Sequence, residues 1–252
     1  MDTKKPNIIT MVSLKGGVGK STLSILFSYI LKDLNKKTLL IDLDSQNSLS
    51  SYFKKYINNI EKNNIYNLLK GEIYFSRCIN KINDNIYFIP AHPVLDKLNF
   101  ENINYKGSLL THHINKNISN HNFDYILIDT SPSFDFLLKN ALNITNYIII
   151  PVQVERLAIE SLEILIDKIT SRIQSFKSSN YNISIVENQF IRNRNTMKDF
   201  EKVLYKEYGE YIKGKIHYSN NIKIFMNDLV EPSPRGKYYK EAEIALKNML
   251  SI

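Results

Sequence analysis

Apolar and polar positions along the chain follow two alternating rhythms. Ile8–Val12 is an apolar segment broken only by Thr10, and Leu23, Leu26, Phe27, Ile30 and Leu31 follow it at helical spacing. The alternation continues to the end of the sequence. Lys37–Leu43, Ile86–Pro90, Phe123–Asp129, Tyr147–Val152, Ile183–Val186 and Gly214–Tyr218 read as strands. Helical patterns occupy Asn47–Lys70, Leu109–Ile118, Leu157–Ile173, Met197–Tyr208 and Tyr239–Leu250. Strands separated by helices predict an α/β fold, a mostly parallel central sheet with helices on both faces. Repeats, long linkers and low-complexity tails are absent from the sequence, so one domain is expected over residues 1–252.

In such a sheet, ligands bind beyond the C-terminal ends of the strands. The chemistry-bearing residues fall there. Between the first apolar run and the first helical pattern lies Ser13-Leu14-Lys15-Gly16-Gly17-Val18-Gly19-Lys20-Ser21-Thr22. This stretch holds three of the chain's eight glycines. Glycine places no side chain between backbone N–H groups and an anion, and it reaches angles closed to other residues. The loop feeds a helix N-terminus, whose free N–H groups and positive dipole end favour phosphate. Gly16 to Thr22 would thus cradle the phosphates of ATP, Lys20 would reach the β- and γ-phosphates, and Ser21 would ligate Mg²⁺. The second predicted strand ends in Asp42-Leu43-Asp44, and a later one ends in Asp129. An acid closing an apolar strand matches the metal-side carboxylate of a phosphate-loop enzyme.

Composition changes this picture little. With 252 residues, 43% hydrophobic and 23% charged, the chain can bury a large core. A single cysteine, Cys78, excludes an internal disulfide framework and counts against an iron–sulfur cluster. The net charge of +8 favours an anionic partner, although AT-biased coding also enriches lysine.

The loop departs from the usual phosphate-loop pattern. Leu14 stands where a glycine is common, and Lys15 precedes the glycine pair. In this it resembles the ParA and MinD family of ATPases with a deviant Walker A loop. The resemblance covers nearly the whole chain and is strongest over residues 7–50 and 123–160. Gln46 after Asp44, the turn Thr130-Ser131-Pro132-Ser133, and Pro151-Val152-Gln153 followed by Glu155 also resemble family signatures, whereas Ser45 and Asn47 depart from them.

The resemblance implies that Lys15 crosses a homodimer interface to the partner's ATP. It further implies that Asp44 positions the attacking water, and that Asp42 and Asp129 support the Mg²⁺ shell beside Ser21. The catalytic set is then Lys15, Lys20 and Asp44. Only fourteen residues precede Lys15, which suits the small type of partition ATPase. Such proteins bind DNA without sequence preference when ATP-bound, release it on hydrolysis, and answer to a ParB-like centromere-binding protein. Arg194 and Lys223 are the matching DNA-binding candidates. The expected setting is cytoplasmic and nucleoid-associated, without stable membrane association. The alternative is a MinD-like positioning ATPase, held on membrane by the apolar stripe Ala242, Ala245, Leu246, Met249 and Leu250.

Overall fold

The computed structural model describes residues 5–118, 121–175, 181–190 and 195–252. Among the described residues eight strands form one sheet: β1 (Asn7–Met11), β2 (Thr38–Leu43), β3 (Asn80–Lys81), β4 (Ile86–Ile89), β5 (Tyr125–Thr130), β6 (Tyr147–Val152), β7 (Asn182–Phe190) and β8 (Ile212–His217). The order across the sheet is β3-β4-β2-β5-β1-β6-β7-β8, parallel throughout except for β3 against β4. Every residue of β2 and β5 is buried, which is why residues 39–41 and 125–128 read as unbroken apolar runs rather than alternating ones.

The helices are α1 (Lys20–Asp33), α2 (Ser48–Tyr52), α3 (Ile65–Leu69), α4 (Phe75–Cys78), α5 (Leu109–Asn117), α6 (Phe136–Leu142), α7 (Arg156–Ser175), α8 (Asn195–Tyr208), α9 (Asn220–Asp228) and α10 (Lys237–Leu250). Successive side chains of a strand point to opposite faces, so the sheet carries two cores. Ile9, Met11, Leu40, Leu127 and Val186 pack with α1 and α10 on one face. On the other, Leu39, Ile41, Ile126 and Ile128 meet α3 and α5, while Ile148, Ile150 and Ile185 meet α7. A Cβ on Gly214 would lie 2.4 Å from the Ala245 Cβ, so β8 and α10 touch where neither has bulk.

Several elements differ from the sequence pattern. The helix expected over Asn47–Lys70 breaks into α2, a short 3₁₀ turn and α3. Ile57 is extended and Asn59 has φ 53°. Asn63 Nδ2 donates to the Asn58 carbonyl and Asn64 Nδ2 to that of Ile60, so side-chain amides compete with helical pairing. Helices α4, α6 and α9 have no counterpart in the pattern. Helix α6 begins where Asp135 Oδ1 accepts from Leu138 N at 2.9 Å, and α9 where Ser219 Oγ accepts from Asn221 N at 3.3 Å. The sheet's two edges are short or charged: β3 has two residues, and β8 carries Lys213 and Lys215 around Gly214.

Candidate nucleotide site

The phosphate loop spans the gap from β1 to α1. Gly17 (φ 77°) and Gly19 (φ 97°) adopt left-handed backbone, which closes the turn and needs glycine. Helix α1 starts at Lys20, directly after Gly19, so its free N–H groups open into the loop. The Ser13 hydroxyl accepts from Lys15 N at 3.1 Å and tightens the entry.

Lys20, at 7% exposure, is buried among the strand ends. Burial pushes its pKa down, while the carboxylates of Asp129 and Asp44 pull it back up. Asp129 pairs in register with Met11 on β1 and Asp42 on β2, which sets it beneath the loop. It is 1% exposed, and neither carboxylate oxygen has a hydrogen-bond partner among the described residues. Burial raises its pKa, opposed by the facing Ser21 hydroxyl and the Lys20 ammonium. A buried carboxylate without a partner is costly, and the observation calls for a ligand.

Asp42 lies one strand further from the loop and is fully engaged. Its Oδ1 accepts from Asp44 N at 3.0 Å, and its Oδ2 accepts from Ser50 N at 2.9 Å and from the Ser50 hydroxyl at 2.6 Å. Ser50 Oγ accepts in turn from Ala91 N at 2.9 Å, tying β2, α2 and the segment after β4 together. Burial, and next the Asp129 charge, raise the Asp42 pKa. Asp44 stands in the turn beyond, where its Oδ1 accepts from Gln46 N at 3.0 Å. The structure therefore gathers Lys20, Asp42, Asp44 and Asp129 at one end of the sheet.

Lys15 forms an ion pair with Glu155 of its own chain, both side chains being partly exposed. The strand-to-helix step after β6 thus contacts the loop twice, because Gln153 Nε2 also donates to the Gly17 carbonyl at 3.3 Å. Asn188 and Gln189, at the end of β7, were not singled out from the sequence. Asn188 Nδ2 donates to the Val18 carbonyl at 2.7 Å and Gln189 Nε2 to that of Gly17 at 3.0 Å. The available signal was three consecutive polar residues, Glu187-Asn188-Gln189, closing an apolar strand.

A cavity of about 250 Å³ opens beside the loop, lined by Gly19, Thr22, Leu26, Asn188, Tyr218 and Lys223. Lys223 is exposed on α9, with its ammonium 5.3 Å from the Tyr218 ring centre. The structure sets it at the mouth of this cavity. Arg194 lies outside the described residues.

Strand, glycine loop and helix, with a buried lysine and strand-end acids, define a nucleotide-binding protein of the phosphate-loop class. Comparison with known proteins narrows the class. A family model described as an AAA domain matches residues 6–185. The chromosome-partitioning ATPase Soj of Treponema pallidum is 32% identical over 66% of this chain and 64% of its own length. An uncharacterized protein of Methanocaldococcus jannaschii is 32% identical over 74% of this chain and 73% of its own. The crystal structure of a putative plasmid partition protein from Borrelia burgdorferi, bound to AMPPNP, superposes with a TM-score of 0.87 at 32% identity, covering 98% of this chain and 99% of that one. The chain belongs to the ParA/Soj-like family of partition ATPases.

Proposed function

We propose that the chain is the ATP-driven switch of a DNA partition system. It pairs on ATP, holds DNA as a dimer and lets go on hydrolysis. The observation that carries this reading is the buried, unpartnered Asp129 carboxylate facing Ser21 and Lys20 under a glycine loop. Those two oxygens fit a hydrated divalent cation, so Ser21 and Asp129 would hold Mg²⁺, with Asp42 setting the Asp44 turn from behind. When bound, the ion would neutralise phosphate charge. Lys20 binds the terminal phosphates, and Asp44 orients a water in line with them. The 250 Å³ cavity takes the base. The AMPPNP held by the Borrelia protein supports ATP as the nucleotide.

Lys15 leaves Glu155 to reach the partner's nucleotide, so closure of the dimer and charge neutralisation are one event. DNA binds without sequence preference through basic residues of the closed dimer, Arg194 and Lys223 among them, and salt weakens it strongly. A ParB-like protein on a centromere site stimulates the slow hydrolysis, in a cytoplasmic, nucleoid-associated setting.

A MinD-like membrane role is the second reading, and the packing of α10 disfavours it. The stripe that would enter lipid, Ala242, Ala245, Leu246, Met249 and Leu250, is buried against the sheet and α1. No helix among the described residues is long and apolar enough to cross a membrane. A mobility-shift series with and without ATP, across rising salt and beside anionic liposomes, tests the proposal. ATP-dependent, salt-sensitive DNA binding supports it; liposome binding with no DNA shift sinks it. Phosphate release lost in Asp44→Ala would support turnover at this site rather than a nucleotide-holding scaffold.

A further inference from the structure

The back of the phosphate loop is held by amide side chains that the nucleotide itself does not require. The Val18 carbonyl accepts from Asn188, and the Gly17 carbonyl from Gln189 and Gln153. In a trans peptide the C=O of one residue and the N–H of the next point in opposite directions. Fixing the Gly17 and Val18 carbonyls toward β6 and β7 therefore aims the Val18 and Gly19 N–H groups the other way. A flipped peptide would turn a carbonyl oxygen toward the anion.

Two further observations single out the end of β7. Asn188 pairs with Ile216 and Phe190 with His217, which leaves Gln189 as the extra residue of a β-bulge. Bulges re-aim side chains and collect beside functional sites. Gln189 also holds φ 56°, a conformation disfavoured for a residue with a Cβ, and strain of this kind persists where a contact demands it. The approach is close from both sides: Asn188 is 4% exposed, and a Cβ on Gly19 would lie 2.3 Å from Asn188 Nδ2.

We propose that Asn188 and Gln189 are positioning residues that pre-set the phosphate loop before nucleotide arrives. Both also line the cavity assigned to the base, but their amide nitrogens are spent on the loop carbonyls, so the effect proposed here falls on the polyphosphate. This rests on the ATP-binding reading above. The test is calorimetric titration with ATP and with inorganic tripolyphosphate, which has no base, at one fixed Mg²⁺ concentration. Asn188→Ala should weaken both ligands by the same factor, roughly three- to tenfold for one lost hydrogen bond. Unchanged tripolyphosphate affinity in this variant overturns the proposal, whatever happens to ATP.

Gln189→Gly guards against a merely structural effect. Glycine accepts the left-handed backbone, so this variant should melt no lower than wild type. Its polyphosphate affinity should still fall about two- to threefold, since Gln153 keeps part of the hold. Affinity that stays at the wild-type value, or that falls only in step with a lower melting temperature, counts against the role. A wild type that binds no ATP would overturn both this inference and the reading beneath it. Binding that survives intact in both variants overturns the positioning role alone.

Discussion

Replacing Asp129 by asparagine should stabilise the nucleotide-free protein while abolishing its response to ligand. The side chain keeps its shape and loses its charge. In the folded chain both oxygens are buried without partners, and burial lifts the pKa above its ordinary 3.8 against the pull of Ser21 and Lys20. A folded pKa above the unfolded one means that folding penalises the carboxylate. The penalty is fully present above the raised pKa, shrinks as pH falls through it, and vanishes below the unfolded value. A buried carboxylate whose oxygens make no hydrogen bond costs roughly 1–3 kcal/mol, of which the Lys20 ammonium returns part. Removing the charge also relieves Asp42, whose pKa the Asp129 charge helps to raise, but it takes from buried Lys20 one of the two carboxylates that support its charge, which offsets part of the gain. At about 2–4 °C per kcal/mol for a chain of this size, Asp129→Asn should melt roughly 2–6 °C above wild type at pH 7. That gap should narrow on acidification. Saturating Mg-ATP should add about 2.7 kcal/mol to the wild type at a hundredfold excess over Kd, and little to the variant. Differential scanning fluorimetry from pH 4 to 8, with and without Mg-ATP, reads all of this. A variant that melts at or below wild type without nucleotide, or a gap insensitive to pH, would refute the reasoning.

Lys15→Ala should keep ATP affinity but form no ATP-dependent dimer in light scattering, with hydrolysis down by roughly 10³-fold or more, as for a lost arginine finger. Ser50→Ala strips Asp42 Oδ2 of its hydroxyl donor and Ala91 N of its acceptor. Urea denaturation should show about 1–3 kcal/mol of lost stability. Gly214→Val drives a side chain into Ala245 of α10 and should cost about 1–3 kcal/mol, part of it recovered by adding Ala245→Gly.

The glycine loop made the phosphate site readable, and burial made the strand-end acids readable: the central residues of the buried parallel strands are apolar, so Asp42, Asp44 and Asp129 stand out at the ends of such runs. What escaped depended on contacts distant in sequence or on single caps. Ser50 serves Asp42 eight positions away while also accepting from Ala91 on another element, and no periodicity announces that. Helix α6 is seven residues long and owes its start to the Asp135 cap. Asn188 and Gln189 resembled an ordinary strand end, because a bulge becomes visible only once β8 is alongside. Glu155 read as part of a strand-to-helix turn; its pairing with Lys15 follows from β6 lying next to β1.

The margins of the sheet bear on how two copies can meet. At one side β3 offers only a two-residue rung; at the other, β8 presents lysines around a glycine. Blunted margins of this kind discourage strand-to-strand docking. β8 keeps six residues, so its lysines and the irregular register beside it, rather than its length, are what deter an added strand.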